Sequence, residues 1–302
     1  MKKIFFFGNP RNTVWDESQC NLPFERTKSK QQADIWVATQ ELTLQQQIEM
    51  SMVSTGKRPK ACILWTHEPY FSVKKDSFTY LYGVPTHIFN IWNHNSLFQN
   101  GTFLWQNFPH HFPEKPEPRK VWRSQKTQKS VALITYPNTK SLATQERVSV
   151  ALDGYSRKVL DIYGKGWPDG ISLGNSRDGE WWKSKPAILE QYDFNLAMEN
   201  CLQPYYVSEK IWDSLLCGCL PIYADNGSIY QTFPKGSFLD IKDYTTTEKL
   251  WKHIEAMSME EWNKRFSSCW DAMKQCWDMY QENPEILWNR SKEEIVKVME
   301  KI

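Results

Sequence analysis

The sequence predicts an α/β protein made of two successive Rossmann-like domains that face a cleft. Three observations lead there. Short apolar runs alternate with segments of helical period in both halves of the chain. A proline-rich stretch separates the halves, and the second half restarts the pattern of the first. Strand–helix–strand units of this kind build a parallel sheet with helices on its faces.

In the first half, Ile4–Phe7, Ala33–Ala38 and Ala61–Trp65 are apolar runs of strand length. Between the last two, 41–55 is polar with Leu42, Leu44, Ile48 and Met52 near helical spacing. Pro109, Pro113, Pro116 and Pro118 then forbid both a helix and a central strand, which marks a stiff connector. The expected domains are therefore 1–113 and 114–302.

In the second half, Val131–Thr135 is the first expected strand. Residues 145–157 follow as a helix with Val148, Leu152 and Tyr155 on one face. Val159–Tyr163 is a strand stopped by Gly164-Lys165-Gly166. The polar run around Trp181 and Trp182, from Glu180 to Lys185, is expected to be an exposed loop. Phe194–Met198, a helix over 208–216 ended by Gly218, and Leu220–Tyr223 complete the sheet pattern. The tail is helical, with capping boxes expected at Thr245…Glu248 and Ser258…Glu261.

Composition bounds the function. With 37 Lys plus Arg against 35 Asp plus Glu, the net charge of +2 offers no basic surface for nucleic acid. The apolar run at Ile4–Phe7 is too short for a signal peptide, and no window approaches 18 apolar residues, so no transmembrane segment is expected. Seven cysteines without C-x-x-C spacing give neither a structural zinc site nor a disulfide framework. Together these point to a reduced, cytoplasmic protein. The 15 Trp, 13 Tyr and 15 Phe suit either an aromatic core or stacking on sugars and bases, with Trp92, Trp181 and Trp182 as stacking candidates. No G-x-G-x-x-G, P-loop or H-E-x-x-H occurs.

The stretch richest in chemistry runs from Phe194 to Tyr223. Ligands of open α/β sheets bind beyond the carboxyl ends of strands, where 199–207 falls. Ser208 is placed to be an N-cap, which puts Glu209 and Lys210 in the first helical turn. A lysine there opposes the helix dipole at roughly a few tenths of a kcal/mol. A bound diphosphate reverses that sign, since free N–H groups, dipole and ammonium all favour an anion. Glu209 suits vicinal ribose hydroxyls, which a carboxylate accepts in pairs. The residues alone also allow an ordinary surface Glu-Lys pair.

The pattern Phe194-x-Leu-Ala-x-Glu199-Asn200, eight residues, Glu209-Lys210 and then Gly218-x-x-Pro221 resembles the nucleotide-sugar motif of the α-1,3/4-fucosyltransferases, glycosyltransferase family 10. The segment ending in Arg147, the strand end Tyr163-Gly164-Lys165 and Trp65-Thr-His67-Glu68-Pro69 resemble further family elements in the expected order. Met198 stands where the family usually has Phe, and Pro69 follows Glu68 directly. The resemblance implies a GT-B fold and inverting transfer of fucose from GDP-fucose to a hydroxyl of an acceptor oligosaccharide, in α-1,3 linkage to GlcNAc or Glc. It implies Glu68 as general base, and Arg147, Asn200, Tyr206, Glu209 and Lys210 as donor-binding residues. With Arg147 and Lys210 neutralising the leaving diphosphate, no metal or other cofactor is expected. The enzyme would act in the cytoplasm, on a glycan precursor at the inner membrane face, with its oligomeric state open. Two alternatives remain: a transferase using another nucleotide sugar, or an inactive carbohydrate-binding module.

Overall fold

The structure, a computed structural model, describes residues 2–7, 24–38, 56, 58–66, 78–81, 84–90, 129–136, 142–176, 178, 181–200, 202, 207–225, 227–282, 296 and 300. The chain divides into two compact units, Met1–Thr102 with Asn283–Ile302, and Phe103–Glu282. The helix expected at 41–55 and the proline-rich connector lie outside the described residues.

The first unit holds a six-stranded sheet. Its strands are β1 (Lys2–Phe7), β2 (Phe24–Arg26), β3 (Ile35–Ala38), β4 (Ala61–Thr66), β5 (Phe78–Leu81) and β6 (Val84–Asn90), in the order β2-β1-β3-β4-β6-β5. All neighbours run parallel except β5, which pairs antiparallel with β6. Ile4, Phe7, Ile35, Trp36, Val37 and Ile63 are buried, as the near-continuous apolar strands of a parallel sheet require. Phe7 meets Trp36 edge to face at 5.7 Å, so part of the aromatic surplus is core.

The second unit holds β7 (Ser130–Leu133), β8 (Leu160–Tyr163), β9 (Phe194–Leu196), β10 (Leu220–Tyr223) and β11 (Leu239–Asp240). The order is β11-β10-β9-β7-β8, every pair parallel. Its helices are α1 (Leu142–Ser156), α2 (Trp181–Leu189), α3 (Glu209–Leu216), α4 (Thr247–Ala256) and α5 (Met259–Glu282). The second unit is therefore α/β, and the first supplies the parallel sheet that the apolar runs implied.

Three local expectations are corrected. The polar run at 180–185 is not a loop: α2 begins at Trp181, and its far end buries Leu189 against Val131, Tyr192, Cys217 and Cys219. Pro186 stands inside that helix, where the amide proton it lacks would have bonded back one turn; the backbone N–H of Glu190 closes the last turn on the Pro186 carbonyl at 2.9 Å. The cap of α4 is Thr246 rather than Thr245, with its hydroxyl accepting from Lys249 N. At Ser258 the expected cap forms, since its Oγ accepts from Glu261 N at 3.1 Å. The Glu261 carboxylate, however, is taken up by Arg265 and His253.

Glycines mark where backbone or ring comes close. Gly164 has φ +147°, and a Cβ there would lie 2.0 Å from the Ile134 carbonyl oxygen, so the chain leaving β8 lies against the chain leaving β7. Gly154 lets α1 approach α4: a Cβ would lie 2.7 Å from the Trp251 ring. Among the described residues, no helix is long and apolar enough to cross a membrane.

Candidate nucleotide-sugar site

Strand order locates the site before any side chain does. From β7 the chain goes through α1 to β8 on one side, and only later to β9 on the other. Helices leaving β7 and β9 thus depart in opposite directions, which opens a crevice at the carboxyl ends of those two strands. Arg147 is carried by α1, which follows β7; Glu199 and Asn200 follow β9. The two segments are joined across the crevice, because the Thr144 hydroxyl donates to the Asn200 carbonyl at 3.2 Å. Thr144 and Arg147 are one turn apart on α1 and so share a face.

The loop then enters α3. Ile211, Trp212 and Leu215 form a buried stripe at helical spacing, and Gly218, at φ +73°, ends the helix with its N–H on the Leu215 carbonyl. A polar stitch fixes α3 to the sheet: Asn195 Nδ2 donates to Ser214 Oγ at 2.8 Å, and that hydroxyl donates to the Lys210 carbonyl at 2.7 Å.

The first turn of α3 is organised around Glu199. This carboxylate is 1% exposed. It accepts from the Ser208 backbone N–H at 2.7 Å, the Ser208 hydroxyl at 2.8 Å, the Lys210 ammonium at 2.8 Å and the Tyr223 hydroxyl at 3.3 Å. Such a set is what a buried carboxylate requires, since an unpaired charge away from water is strongly disfavoured. Ser208 occupies the N-cap position, but its hydroxyl makes no cap bond. It turns inward to Glu199 and accepts from Lys210 at 2.6 Å, so the expected side-chain cap is replaced by a tether.

Electrostatics follow from these contacts. Burial works against the Lys210 ammonium and so does the charge of Arg147, but Glu199 and Glu209 outweigh both, holding its pKa above the ordinary lysine value. Lysine Lys185 reaches in from α2, 3.7 Å from the Glu209 carboxylate and in contact with Asp213. Arg147, Lys185 and Lys210 therefore face Glu199, Glu209 and Asp213 among the described residues.

Of the residues expected from the sequence, Arg147, Asn200, Glu209 and Lys210 fall at this crevice. Glu68 and Tyr206 lie outside the described residues, as do Trp92 and His67. Glu199 was legible only as part of a motif, and Lys185 not at all, since its partner Asp213 belongs to a different helix. No group of three or more metal-ligating side chains occurs among the described residues.

The model of glycosyltransferase family 10 (fucosyltransferase), C-terminal part, matches residues 124–292, more than half of the chain. The chain belongs to glycosyltransferase family 10. A relative within the fucosyltransferases, the 4-galactosyl-N-acetylglucosaminide 3-alpha-L-fucosyltransferase FUT5 of Hylobates lar, is 29% identical over 111 residues, which cover 32% of this chain and 30% of that protein. The match thus spans less than a third of the relative's length. A crystal structure of an α1,3-fucosyltransferase with GDP aligns over 95% of this chain and 90% of its own, at a TM-score of 0.50 and 14% identity. The DNA-modifying β-glucosyltransferase aligns over 98% and 99%, at 0.51 and 10%. The family and these alignments agree on an α/β fold of the GT-B class.

Proposed function

We propose that the chain transfers fucose from GDP-fucose to a hydroxyl of an acceptor oligosaccharide, with inversion at the anomeric carbon. The observation that carries this reading is the crevice at β7 and β9, where Arg147, Glu209 and Lys210 come together at the start of α3. In one displacement, the acceptor oxygen bonds to the anomeric carbon from the face opposite GDP. The bond from that carbon to the diphosphate oxygen breaks, and its electron pair leaves with GDP. The acceptor proton passes to Glu68, the general base. Arg147, Lys210 and the first-turn N–H groups of α3 face the charge that develops on the leaving diphosphate.

Glu209 holds the ribose hydroxyls, Asn200 shapes the loop through its carbonyl, and Tyr206 adjoins the phosphates and the fucose. Two cations on the diphosphate make a metal dispensable, so activity should persist in the presence of a chelator. The acceptor linkage is α-1,3 to GlcNAc or Glc, and the site of action is the cytoplasm, a compartment in which buried thiols such as Cys269 stay reduced.

Thermal stabilisation of wild type and of Lys210→Ala by GDP-fucose, GDP-mannose and a UDP-sugar tests the donor. A ligand at about a hundred times its Kd adds roughly 2.7 kcal/mol. GDP-fucose should raise the melting temperature of wild type and do so less in the variant. A larger shift with GDP-mannose or a UDP-sugar would reassign the donor, and no shift with any would leave a carbohydrate-binding module. For the base, Glu68→Gln should abolish transfer while GDP still binds; full activity would remove Glu68 from the role.

A further inference from the structure

Glu199 is a charged group at full burial, placed where the proposed reaction needs a cation rather than an anion. Resting on the donor reading above, we propose that Glu199 is a positioning residue: it holds the Lys210 ammonium and the Ser208 entry to α3 in the geometry that receives the diphosphate.

The four donors to Glu199 come from two places in the chain, and the acceptor from a third. Ser208 and Lys210 belong to the entry and first turn of α3, Tyr223 ends β10, and Glu199 itself leaves β9. One carboxylate therefore ties two neighbouring strand ends to the helix start. A neutral side chain of the same shape has one oxygen to offer: its amide N–H groups would face either the Lys210 ammonium, which donates to Oε2, or the Ser208 N–H and Tyr223 hydroxyl, which donate to Oε1, donor against donor. The charge, and not only the shape, is what this position requires.

The arrangement also divides the ammonium's work. A lysine ammonium has three N–H groups. Among the described residues, two are directed to Glu199 and Ser208, and Glu209 lies farther off at 3.8 Å. Two fixed bonds aim the third N–H, so lysine's rotamer freedom is removed before the donor arrives. Facing the same ammonium are Arg147 from α1 and Glu209 beside it, while Lys185 and Asp213 form the next pair outward. Without Glu199, burial and Arg147 would be opposed by Glu209 alone.

The test compares wild type, Glu199→Gln and Glu199→Asp for GDP affinity by calorimetry and for the pH dependence of kcat/KM. Glu199→Gln should weaken GDP binding by roughly ten-fold or more, the size of one charge-assisted hydrogen bond. It should also move the alkaline limb of the profile to lower pH, because the lysine loses its main anionic partner. Lys210→Arg in the Glu199→Gln background should remove that limb, since a guanidinium stays charged. Glu199→Asp keeps the charge but draws it back, and should shift both quantities in the same direction by less. It serves if Glu199→Gln does not fold. Folded variants that match wild type in affinity and in the alkaline limb would overturn the role. A wild type that binds no guanine nucleotide would remove the donor reading itself, which separates the two failures.

Discussion

The ammonium of Lys210 lies 2.8 Å from Oε2 of Glu199, and the two ends of this pair differ in exposure: the carboxylate side chain is fully covered while the lysine side chain is 23% exposed. The pair is therefore asymmetric. Losing the carboxylate leaves a cation that water can reach, whereas losing the lysine strands an anion that it cannot.

That asymmetry makes Lys210 a stability residue as well as a binding residue. Removing one partner of a buried pair costs about 3–5 kcal/mol, and here Ser208 and Tyr223 remain to soften the loss. Lys210→Met should cost about 2 kcal/mol and lower the melting temperature by on the order of 5 °C. Lys210→Arg should keep the melting temperature near that of wild type. Differential scanning calorimetry without nucleotide separates this effect from donor binding.

In an exposed helix interior Gly→Ala stabilises by about 1 kcal/mol. At Gly154 the sign should reverse. A Cβ there meets the Trp251 ring at 2.7 Å and Leu160 Cβ at 2.9 Å, both buried and unable to swing away. Overpacking of this kind costs about 1–3 kcal/mol. A lower urea midpoint for Gly154→Ala with an unchanged m-value is the expected result.

Stability should fall at both ends of the pH range for identifiable reasons. Partial burial raises the Glu261 pKa, but the hydrogen bond from Arg265 and the charges of His253 and Arg265 bring it below the ordinary value. The unfolded chain therefore binds the proton more readily. The contribution of Glu261 is complete above the unfolded pKa of about 4.3 and is lost as pH falls through the folded value. Lys210, with its pKa raised, contributes fully below about pH 10.4 and loses that contribution as pH climbs through the folded value. Glu261→Gln should flatten the acid limb of melting temperature against pH and leave the alkaline limb in place.

Burial pushes the thiols of Cys62, Cys269 and Cys276 up to about 12. The thiolate is the reactive form, so these three should resist iodoacetamide at pH 8 in the folded protein and react once it is denatured. Peptide mapping by mass spectrometry after each treatment checks this site by site.

The sequence was informative wherever one residue's neighbours along the chain decide its state. Apolar runs such as Leu220–Tyr223 could only be buried strands, and Gly218 could only be a stop. The site was legible as a motif because Asn200, Glu209 and Lys210 keep the family's spacing, with the segment ending in Arg147 in its expected order upstream. What failed depended on distant partners. The run at 180–185 looks polar because its Lys185 pairs with Asp213, a residue no local pattern connects to it. Ser208 has the identity of a helix cap, yet a carboxylate nine residues earlier takes its hydroxyl. Short strands such as β2 and β11 carry too few residues to show a period.

The Asp193 carbonyl, just ahead of β9, accepts from Leu220 N of β10 and from the indole N–H of Trp262 on α5. Trp262 stacks in turn on Phe266, at 4.7 Å and 7°. The strand that launches the donor loop is thus pinned by a ring 69 residues farther along the chain. On the ribosome, Glu199 and Lys210 are synthesised long before that pin exists. A nascent chain that has just completed β10 carries the entire loop sequence with β9 held at its start by backbone bonds alone and apolar surface awaiting α5. Until α5 is made and docks, that apolar surface is open to holdase chaperones.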